Sequence, residues 1–211
     1  ISDFGEMSRL AQMARPTDAV FTLIGNAHLD RLHDRTGVFK AKTEMLEYMP
    51  CDGTVVLNAD DDLLCACDCR QRKVLYGLGD NAGVRAENIR VESAAMQTCD
   101  IVSGKRRIHV SIPAYGRHMV YAALEGAAVG MKFGLSDDEI IRGIASYETV
   151  GRRANVIDTG FITIIDDCYN ANPDSVKCAI DSMCASCGRK VCILGDMLEM
   201  GTARAERHAD I

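Results

Sequence analysis

Apolar runs of strand length alternate with segments of helical periodicity along most of this 211-residue chain. The strand-like runs cover residues 19–24, 54–57, 73–76, 161–165 and 190–194. The helical patterns cover residues 5–14, 38–49, 118–131, 137–147 and 174–187. A helix between two successive strands returns the chain to the same end of a sheet, so that the strands run parallel. The alternation therefore predicts an α/β fold with a largely parallel sheet.

One segment departs from this alternation. Residues 94–113 alternate between apolar and polar side chains on either side of the turn Ser103-Gly104-Lys105. Such a pattern is typical of an antiparallel hairpin. We therefore expect the sheet to be mixed or to carry a small β appendage.

A domain boundary is predicted near Gly151, where a helical pattern ends in the sequence TVGRRAN and a new strand and helix begin. It divides the chain into a first unit of residues 1–150 and a second unit of residues 151–211. Because the second unit holds only two predicted strands, it is small for a domain. We expect the chain to be a segment of a longer protein, extending beyond both of its ends.

The charge and hydropathy of the chain exclude some classes of partner. The net charge is −6 and the pI is about 5.4, so no broad basic surface is available for a nucleic-acid backbone. No apolar run approaches the roughly 18 residues that cross a bilayer. We therefore expect a cytoplasmic protein that neither binds nucleic acid nor inserts into a membrane.

Ten cysteines are present, but their spacing fits no disulfide framework of a small secreted domain. Two groups are close in sequence: Cys65, Cys67 and Cys69 form a CxCxC pattern, and Cys184 and Cys187 form a CxxC pattern. A zinc site usually needs two such pairs at a suitable spacing. We expect reduced, buried thiols, with metal or redox use of either group as the less favoured alternative.

Polar residues follow four of the predicted strands. The strands at 19–24, 54–57, 161–165 and 190–194 lead into GNAH, NADDD, DDCYNAN and GDM, respectively. In open parallel sheets, ligands bind at the carboxyl ends of the strands. Asn, Asp and Gly are also the common turn residues, so an ordinary turn remains the alternative at each position.

Lys42 lies within an apolar helical stripe. At 100° per residue it falls near the middle of the arc formed by Val38, Ala41, Met45, Leu46 and Met49. A buried cation is costly, so Lys42 must extend to solvent, pair with an acid, lose its proton or be modified. The phosphate-binding pattern GxxxxGK[ST] is absent from the chain, since Gly104-Lys105 is followed by Arg106.

Several motifs together resemble the Mur ligase family. They are, in order, GNAHLDRLHDRTGVFKAKTEML, VVLNADD, GRHMVYAAL, VGRR, IIDDCYNANPDSVKCAI, and LGDMLEMG with His208. The resemblance is greatest to the branch that joins D-alanyl-D-alanine to UDP-N-acetylmuramoyl-tripeptide. It implies the later part of a P-loop-type central ATPase domain, followed by the start of a Rossmann-like C-terminal domain. It also implies a monomeric enzyme of peptidoglycan synthesis that uses ATP and Mg²⁺ and works through an acyl phosphate.

The resemblance also implies roles for particular residues. His28 would bind magnesium, and Lys42, as a carbamate, would be a second magnesium ligand; these two are the predicted catalytic residues. Arg152 would reach the nucleotide phosphates and Asp167 the ribose. Asn58 and Asn170 fall in segments that contact adenosine.

One position departs from the family pattern. The chain reads HMVYA from His118, which places Ala122 where an adenine-contacting asparagine is expected. Two alternatives to the implied function stay open. One is a Mur-type ligase with a different amino-acid substrate, and the other is a non-catalytic truncated product.

Overall fold

A computed structural model describes residues 1–26, 28–93, 95–114, 116–149, 151, 153–184, 188–200 and 204–211. Two residues singled out by the sequence, Arg152 and Cys187, lie outside these described residues. The role predicted for Arg152 therefore stays a prediction.

The first unit is built on a six-stranded sheet whose strands lie side by side in chain order. They are β1 (Asp18–Phe21), β2 (Thr54–Asn58), β3 (Arg72–Gly77), β4 (Val84–Ser93), β5 (Met96–Ser103) and β6 (Arg106–Ile112). Strands β1 to β4 are parallel, whereas β5 and β6 are antiparallel to their neighbours. The prediction of an α/β fold with a mixed, mostly parallel sheet is confirmed.

Helices cover both faces of this sheet. In chain order they are α1 (Glu6–Ala14), α2 (Leu29–Leu32), α3 (Arg35–Thr43), α4 (Asp62–Cys65), α5 (Arg117–Lys132) and α6 (Asp137–Ala145). Helix α6 begins with the capping box of Ser136 and Glu139, in which each residue binds the backbone of the other. A 3-10 helix, Glu44–Tyr48, continues α3, so the helix predicted over residues 38–49 changes its geometry at Thr43.

All five residues of β2 are buried because helices pack on both of its faces. Val56 points toward α5 and shares a core with Tyr76 and Leu124. Its neighbours Val55 and Leu57 point to the other face, where they pack with residues of α3. Because side chains alternate along the strand, β2 contributes to two separate hydrophobic cores.

The second unit differs from its prediction. Its strands, β7 (Asn155–Asp158) and β8 (Thr163–Asp166), form a separate antiparallel pair. The sequence pattern missed β7 and placed β8 at residues 161–165, although Phe161 is 94% exposed in the turn. Two helices follow, α7 (Pro173–Cys184) and α8 (Arg204–Asp210).

The strand predicted at residues 190–194 is wrong. The structure gives these residues no regular secondary structure, and Ile193 is 96% exposed. A strand needs a neighbour to take up its backbone hydrogen bonds. Of the four strand ends with polar residues, only those of β1 and β2 therefore meet in the same sheet.

Candidate functional site

The segment that follows β1, residues 22–26, runs along the carboxyl edge of the sheet and is held by side chains from neighbouring elements. The carbonyl of Thr22 accepts a hydrogen bond from Asn58 Nδ2 at 3.0 Å. The Ile24 amide donates to Asp61 Oδ2 at 2.9 Å, and the Ile24 carbonyl accepts from Arg35 Nε at 2.9 Å. This segment leads directly to His28.

Asn58 uses both ends of its side-chain amide on the backbone. It donates to Thr22, and its Oδ1 accepts from the Asp60 amide at 3.0 Å. The residue is only 5% exposed. An adenosine contact through this side chain would have to replace one of these hydrogen bonds. The adenosine contact therefore stays a prediction, whereas the observed role of Asn58 is to hold the backbone.

Asp61 is a site residue that the sequence pattern did not single out. Its Oδ1 accepts from the amides of Leu63 and Leu64 and so caps α4. Its Oδ2 holds Ile24 and lies 3.4 Å from Arg35 Nη2. The buried carboxylate thereby fixes two loops at the carboxyl edge. The signals in the sequence were its place in the polar run NADDD and its position two residues before the apolar pair Leu63-Leu64, which is typical of a helix N-cap.

Tyr76 and Glu125 form a second polar contact beneath the same edge. The Tyr76 hydroxyl lies 2.5 Å from Glu125 Oε1 and within 3.2 Å of the carbonyls of Phe21 and Thr22. Burial raises the pKa of Glu125, and it raises the pKa of Tyr76 as well. The contact joins α5 to the end of β1.

The structure brings His28 and Lys42 together on one cavity of about 160 Å³. Val38 and Leu32 form part of its apolar wall. Lys42 Nζ donates to the Leu23 carbonyl at 3.0 Å. Burial lowers the pKa of Lys42, although the charge of Asp61 opposes this effect. Burial therefore favours the neutral amine, which is the form that carbamylation requires.

The donor atoms at this cavity fit part of a divalent-cation site. Oxygen atoms of a carbamate on Lys42 would be ligands of the kind that Mg²⁺ prefers. The imidazole of His28 would add a nitrogen donor. Within the part of the chain that the structure describes, no three His, Cys, Asp or Glu side chains converge as a metal site. Any cation held by these two residues would therefore need further ligands.

The second unit contacts the first at this same edge. The Asn26 amide donates to Asp174 Oδ2 at 3.1 Å. A Cβ atom on Gly25 would come within 2.9 Å of the same carboxylate oxygen, so glycine permits the close approach. His28 Nδ1 lies 2.6 Å from Glu199 Oε2. A ligand at the edge would thus have both units around it.

The motif NANPDS has a structural explanation of its own. Asn172 Oδ1 accepts from the Ser175 amide at 2.9 Å, and Ser175 Oγ accepts from the Asn172 amide at 3.2 Å. This reciprocal pair caps α7, with Pro173 in the first helical position that suits it. The cap directs the first turn, and hence Asp174, toward the segment after β1.

The two other predicted nucleotide residues of the second unit are exposed. Asp167 Oδ1 accepts from the Ala154 amide at 3.0 Å, and Asn170 Oδ1 accepts from the Ala171 amide at 2.9 Å. Burial lowers the pKa of His118, whereas the charge of Asp167 raises it. His118 Nδ1 also lies 3.1 Å from Cys178 Sγ, which adds another contact between the units. The roles predicted for Asp167 and Asn170 stay predictions.

Comparison with known proteins assigns both units to one family. The model of the Mur ligase middle domain matches residues 1–130. The chain belongs to the Mur ligase family. The model described as Mur ligase, glutamate ligase domain matches residues 152–211.

Curated Mur ligases resemble this chain over almost its whole length. UDP-N-acetylmuramoyl-tripeptide–D-alanyl-D-alanine ligase of Bacillus subtilis is 32% identical over 209 residues, which are 98% of this chain and 45% of that protein. The ligase of the same name from Escherichia coli is 30% identical, over 98% of this chain and 47% of that protein. The chain thus spans less than half the length of these relatives.

Solved Mur ligase structures share the fold. MurF from Acinetobacter baumannii superposes with a TM-score of 0.91 at 25% identity, covering 100% of this chain and 46% of that one. MurF ligase from Thermotoga maritima, solved in complex with ADP, has a TM-score of 0.89 at 23% identity, covering 99% and 48%.

Ala122, which departs from the family pattern, is exposed on α5 of this Mur ligase chain. It lines an apolar cavity of about 240 Å³ together with Met119, Ile140 and Tyr147. A methyl group at this position offers no hydrogen bond to a base. The side chain of Ala122 therefore cannot make the adenine contact that the family pattern expects of an asparagine.

Most of the described cysteines of this Mur ligase chain are not buried. No disulfide joins the nine cysteines within the described residues, and only Cys67 and Cys99 are fully buried. Burial raises the pKa of Cys67 to about 11, which makes it an unreactive thiol at neutral pH. The prediction of burial is wrong for Cys184, which is exposed. Among the residues that the structure describes, no helix has the length and apolar character to cross a bilayer.

Proposed function

We propose that this chain forms the later part of the ATP-binding domain, and the start of the adjoining domain, of an ATP-dependent ligase that joins D-alanyl-D-alanine to UDP-N-acetylmuramoyl-tripeptide. In this proposal the ATP-binding part covers residues 1–150 and the adjoining part covers residues 151–211. The observation that carries it is the cavity shared by His28 and Lys42 at the carboxyl edge of the sheet. The curated relatives named for this reaction support the choice of substrates.

Lys42 and His28 are the proposed catalytic residues. Lys42, as a carbamate, and His28 would hold Mg²⁺. When bound, the cation would offset negative charge on the phosphates of ATP. The apolar walls around the half-buried Lys42 amine favour its neutral form, which is the form that carbamylation requires. The apolar walls also limit water around the reacting groups.

The nucleotide is assigned to the contact between the two units. Asp167 would accept hydrogen bonds from the ribose hydroxyls, and Asn170 would contact adenosine, with Asn58 nearby. Arg152, which lies outside the described residues, would bind the phosphates. The Thermotoga maritima relative in complex with ADP supports nucleotide binding.

The proposed reaction places the protein in peptidoglycan synthesis, and so in cell-wall formation, cell shape and cell division. A cytoplasmic, monomeric enzyme stays our expectation. A second candidate is a ligase for another amino acid. It is favoured by UDP-N-acetylmuramate–L-alanine ligase of Salinibacter ruber, which is 30% identical over 84% of this chain and 38% of that protein.

Phosphate release from ATP in the whole protein tests the choice between these candidates. Release that requires both UDP-N-acetylmuramoyl-tripeptide and D-alanyl-D-alanine supports the proposal. Release that instead requires UDP-N-acetylmuramate and L-alanine would support the second candidate. If neither pair of substrates causes phosphate release, both candidates are contradicted.

The Lys42→Ala variant tests the assignment of the carbamate. Changes in the outer shell of a metal site cost about 10- to 100-fold in affinity or activity, so loss of a ligand should cost at least about 100-fold in turnover. Added bicarbonate should not restore turnover, because alanine has no amine. The matched control is Lys40→Ala, which removes an exposed lysine from the opposite side of α3 and should leave turnover unchanged. Normal turnover in Lys42→Ala would show that the assignment is wrong.

A further inference from the structure

The motif LGDMLEMG and His208 have no part in the roles given so far, yet Glu199 of this motif contacts a residue of the candidate cation site. Glu199, within this motif, reaches from the second unit to the first. Its Oε2 lies 2.6 Å from Nδ1 of His28, with side-chain exposures of 58% and 35%. Because these residues are distant in sequence, only the contact between the units brings them together.

We infer that Glu199 is a positioning residue for His28, an inference that rests on the proposed function. A neutral imidazole carries one proton, and the carboxylate accepts that proton at Nδ1. The Nε2 atom is then left with the lone pair that a metal ligand needs. Carboxylates commonly orient metal-binding histidines in this way.

The backbone conformations on both sides of the contact are unusual. His28 has φ of 57° and Glu199 has φ of 60°, and neither residue is glycine. Non-glycine residues adopt this left-handed region infrequently, and they cluster at functional sites where the surroundings hold them. Both residues of the 2.6 Å contact thus have a backbone conformation that their surroundings must hold.

The loop that carries Glu199 is anchored from both sides. Met197 and Met200 are buried at 2% and 4% exposure. The Met197 amide donates to His208 Nε2 at 3.1 Å, and His208 Nδ1 donates to the Arg204 carbonyl at 2.8 Å. This pair of bonds requires the neutral form of His208 with its proton on Nδ1. His208, on α8, therefore stabilises the loop that presents Glu199.

The contact between His28 and Glu199 makes the site depend on both units. His28 belongs to the first unit and Glu199 to the second, so the orientation of the imidazole depends on contact between the units. The Asn26–Asp174 bond holds the same segment from the same side. Metal binding at His28 is thereby coupled to the contact of the second unit with the first.

The experiment measures the His28 tautomer and the cation affinity in the whole protein. The ¹⁵N chemical shifts of the His28 ring report which nitrogen carries the proton, and Mn²⁺ titration followed by electron paramagnetic resonance reports affinity. We expect Glu199→Ala to lose the Nδ1-protonated form and to weaken Mn²⁺ binding about 10- to 100-fold. Glu199→Gln, whose amide oxygen still accepts the Nδ1 proton, should keep the tautomer and most of the affinity.

Glu206→Ala is the matched control, since Glu206 is an exposed glutamate on α8. It should change neither reading. An unchanged tautomer and Mn²⁺ affinity in Glu199→Ala would overturn the inference. If that variant fails to fold, Glu199→Asp decides, because its carboxylate is one methylene too short to keep the 2.6 Å contact with His28. An unchanged tautomer and Mn²⁺ affinity in Glu199→Asp would equally overturn the inference.

Neither reading needs a ligase substrate, so the two proposals fail separately. A protein in which Glu199 controls Mn²⁺ binding, but which does not use D-alanyl-D-alanine, would refute only the proposed function. An active ligase that is indifferent to Glu199 would refute only the positioning role.

Discussion

Polar side chains at the carboxyl edge of the sheet form hydrogen bonds with the protein's own backbone. Asn58, Asp61 and Lys42 each contact a different residue of the segment after β1. Buried backbone groups need such partners, because an unpaired one costs about 1–3 kcal/mol. A substitution at these residues therefore alters the loop as well as the site. The free energy of unfolding should be measured beside activity for each of them.

Ala122 supports a prediction at this scale. We expect Ala122→Asn in the whole protein to tighten ATP binding about 2- to 10-fold, since one added hydrogen bond contributes about 0.5–1.5 kcal/mol. Isothermal titration calorimetry with ATP measures the change. Ala122→Leu is the control, because it fills the same exposed position without an amide. Equal affinity in Ala122→Asn and the parent protein would contradict a missing adenine contact.

Individual elements follow local signals where those signals are complete. Helix α6 has its capping box and α7 its asparagine cap and proline, and both helices begin within a residue of the predicted positions. Helix α3 gives way to the 3-10 helix at Thr43, whose Oγ1 donates to the carbonyls of Phe39 and Lys40. Threonine hydroxyls that bond back in this way often bend helices. The pattern of apolar residues alone therefore does not predict the change to a 3-10 helix at Thr43.

The antiparallel strands β4 to β6 carry a charged cluster centred on Asp100. Asn88 Nδ2 donates to Asp100 at 2.7 Å, His109 Nδ1 lies 2.8 Å from it and Arg107 Nη1 donates at 3.1 Å. The hydrogen bond from Asn88, followed by that from His109, lowers the pKa of Asp100 from 3.8 to about 2. A carboxylate with a lowered pKa stabilises the folded state while it is ionised.

The cluster predicts a pH dependence of stability. The contribution of Asp100 should be fully present above pH 3.8 and should disappear as the pH falls toward about 2, because the folded state then also takes up the proton. Asp100→Asn should therefore lower the urea midpoint much more at pH 7 than near pH 2. Asp52→Asn, at an exposed turn residue, is the control and should shift neither midpoint. An equal loss at both pH values would contradict the role of the charge.

At the scale of the whole molecule, the second unit contacts the first at the carboxyl edge of the sheet. Contacts between the two units within the described residues include Asn26 with Asp174, His28 with Glu199, and His118 with Cys178. Each uses a residue of a motif that the sequence had singled out. The candidate site is thus a property of the two units together.

A prediction about activity belongs to this scale. We expect the 211-residue chain alone to show no phosphate release that depends on ATP and D-alanyl-D-alanine, because its sequence contains no GxxxxGK[ST] loop to hold the β- and γ-phosphates. A phosphate-release assay with the purified chain measures this, with the whole protein as positive control. Release from the chain alone would contradict the prediction.

Local patterns were enough to predict the α/β class, the mixed sheet, most helices of the first unit and the unusual position of Lys42. These features depend on residues that lie within a turn or two of helix, or a few residues of strand, from one another. The strand predicted at 190–194 failed for the opposite reason. An apolar run becomes a strand only if another strand accepts its backbone hydrogen bonds, and no local pattern contains that partner.

The sequence thus determined which residues are the candidates for the chemistry, since His28, Lys42 and the motif containing Glu199 all stand out in it. The tertiary structure decided which of them meet. Parallel strands bring the ends of β1 and β2 to one edge, and contact with the second unit places Glu199 against His28. Because these contacts join residues that are distant along the chain, they depend on how the whole chain packs.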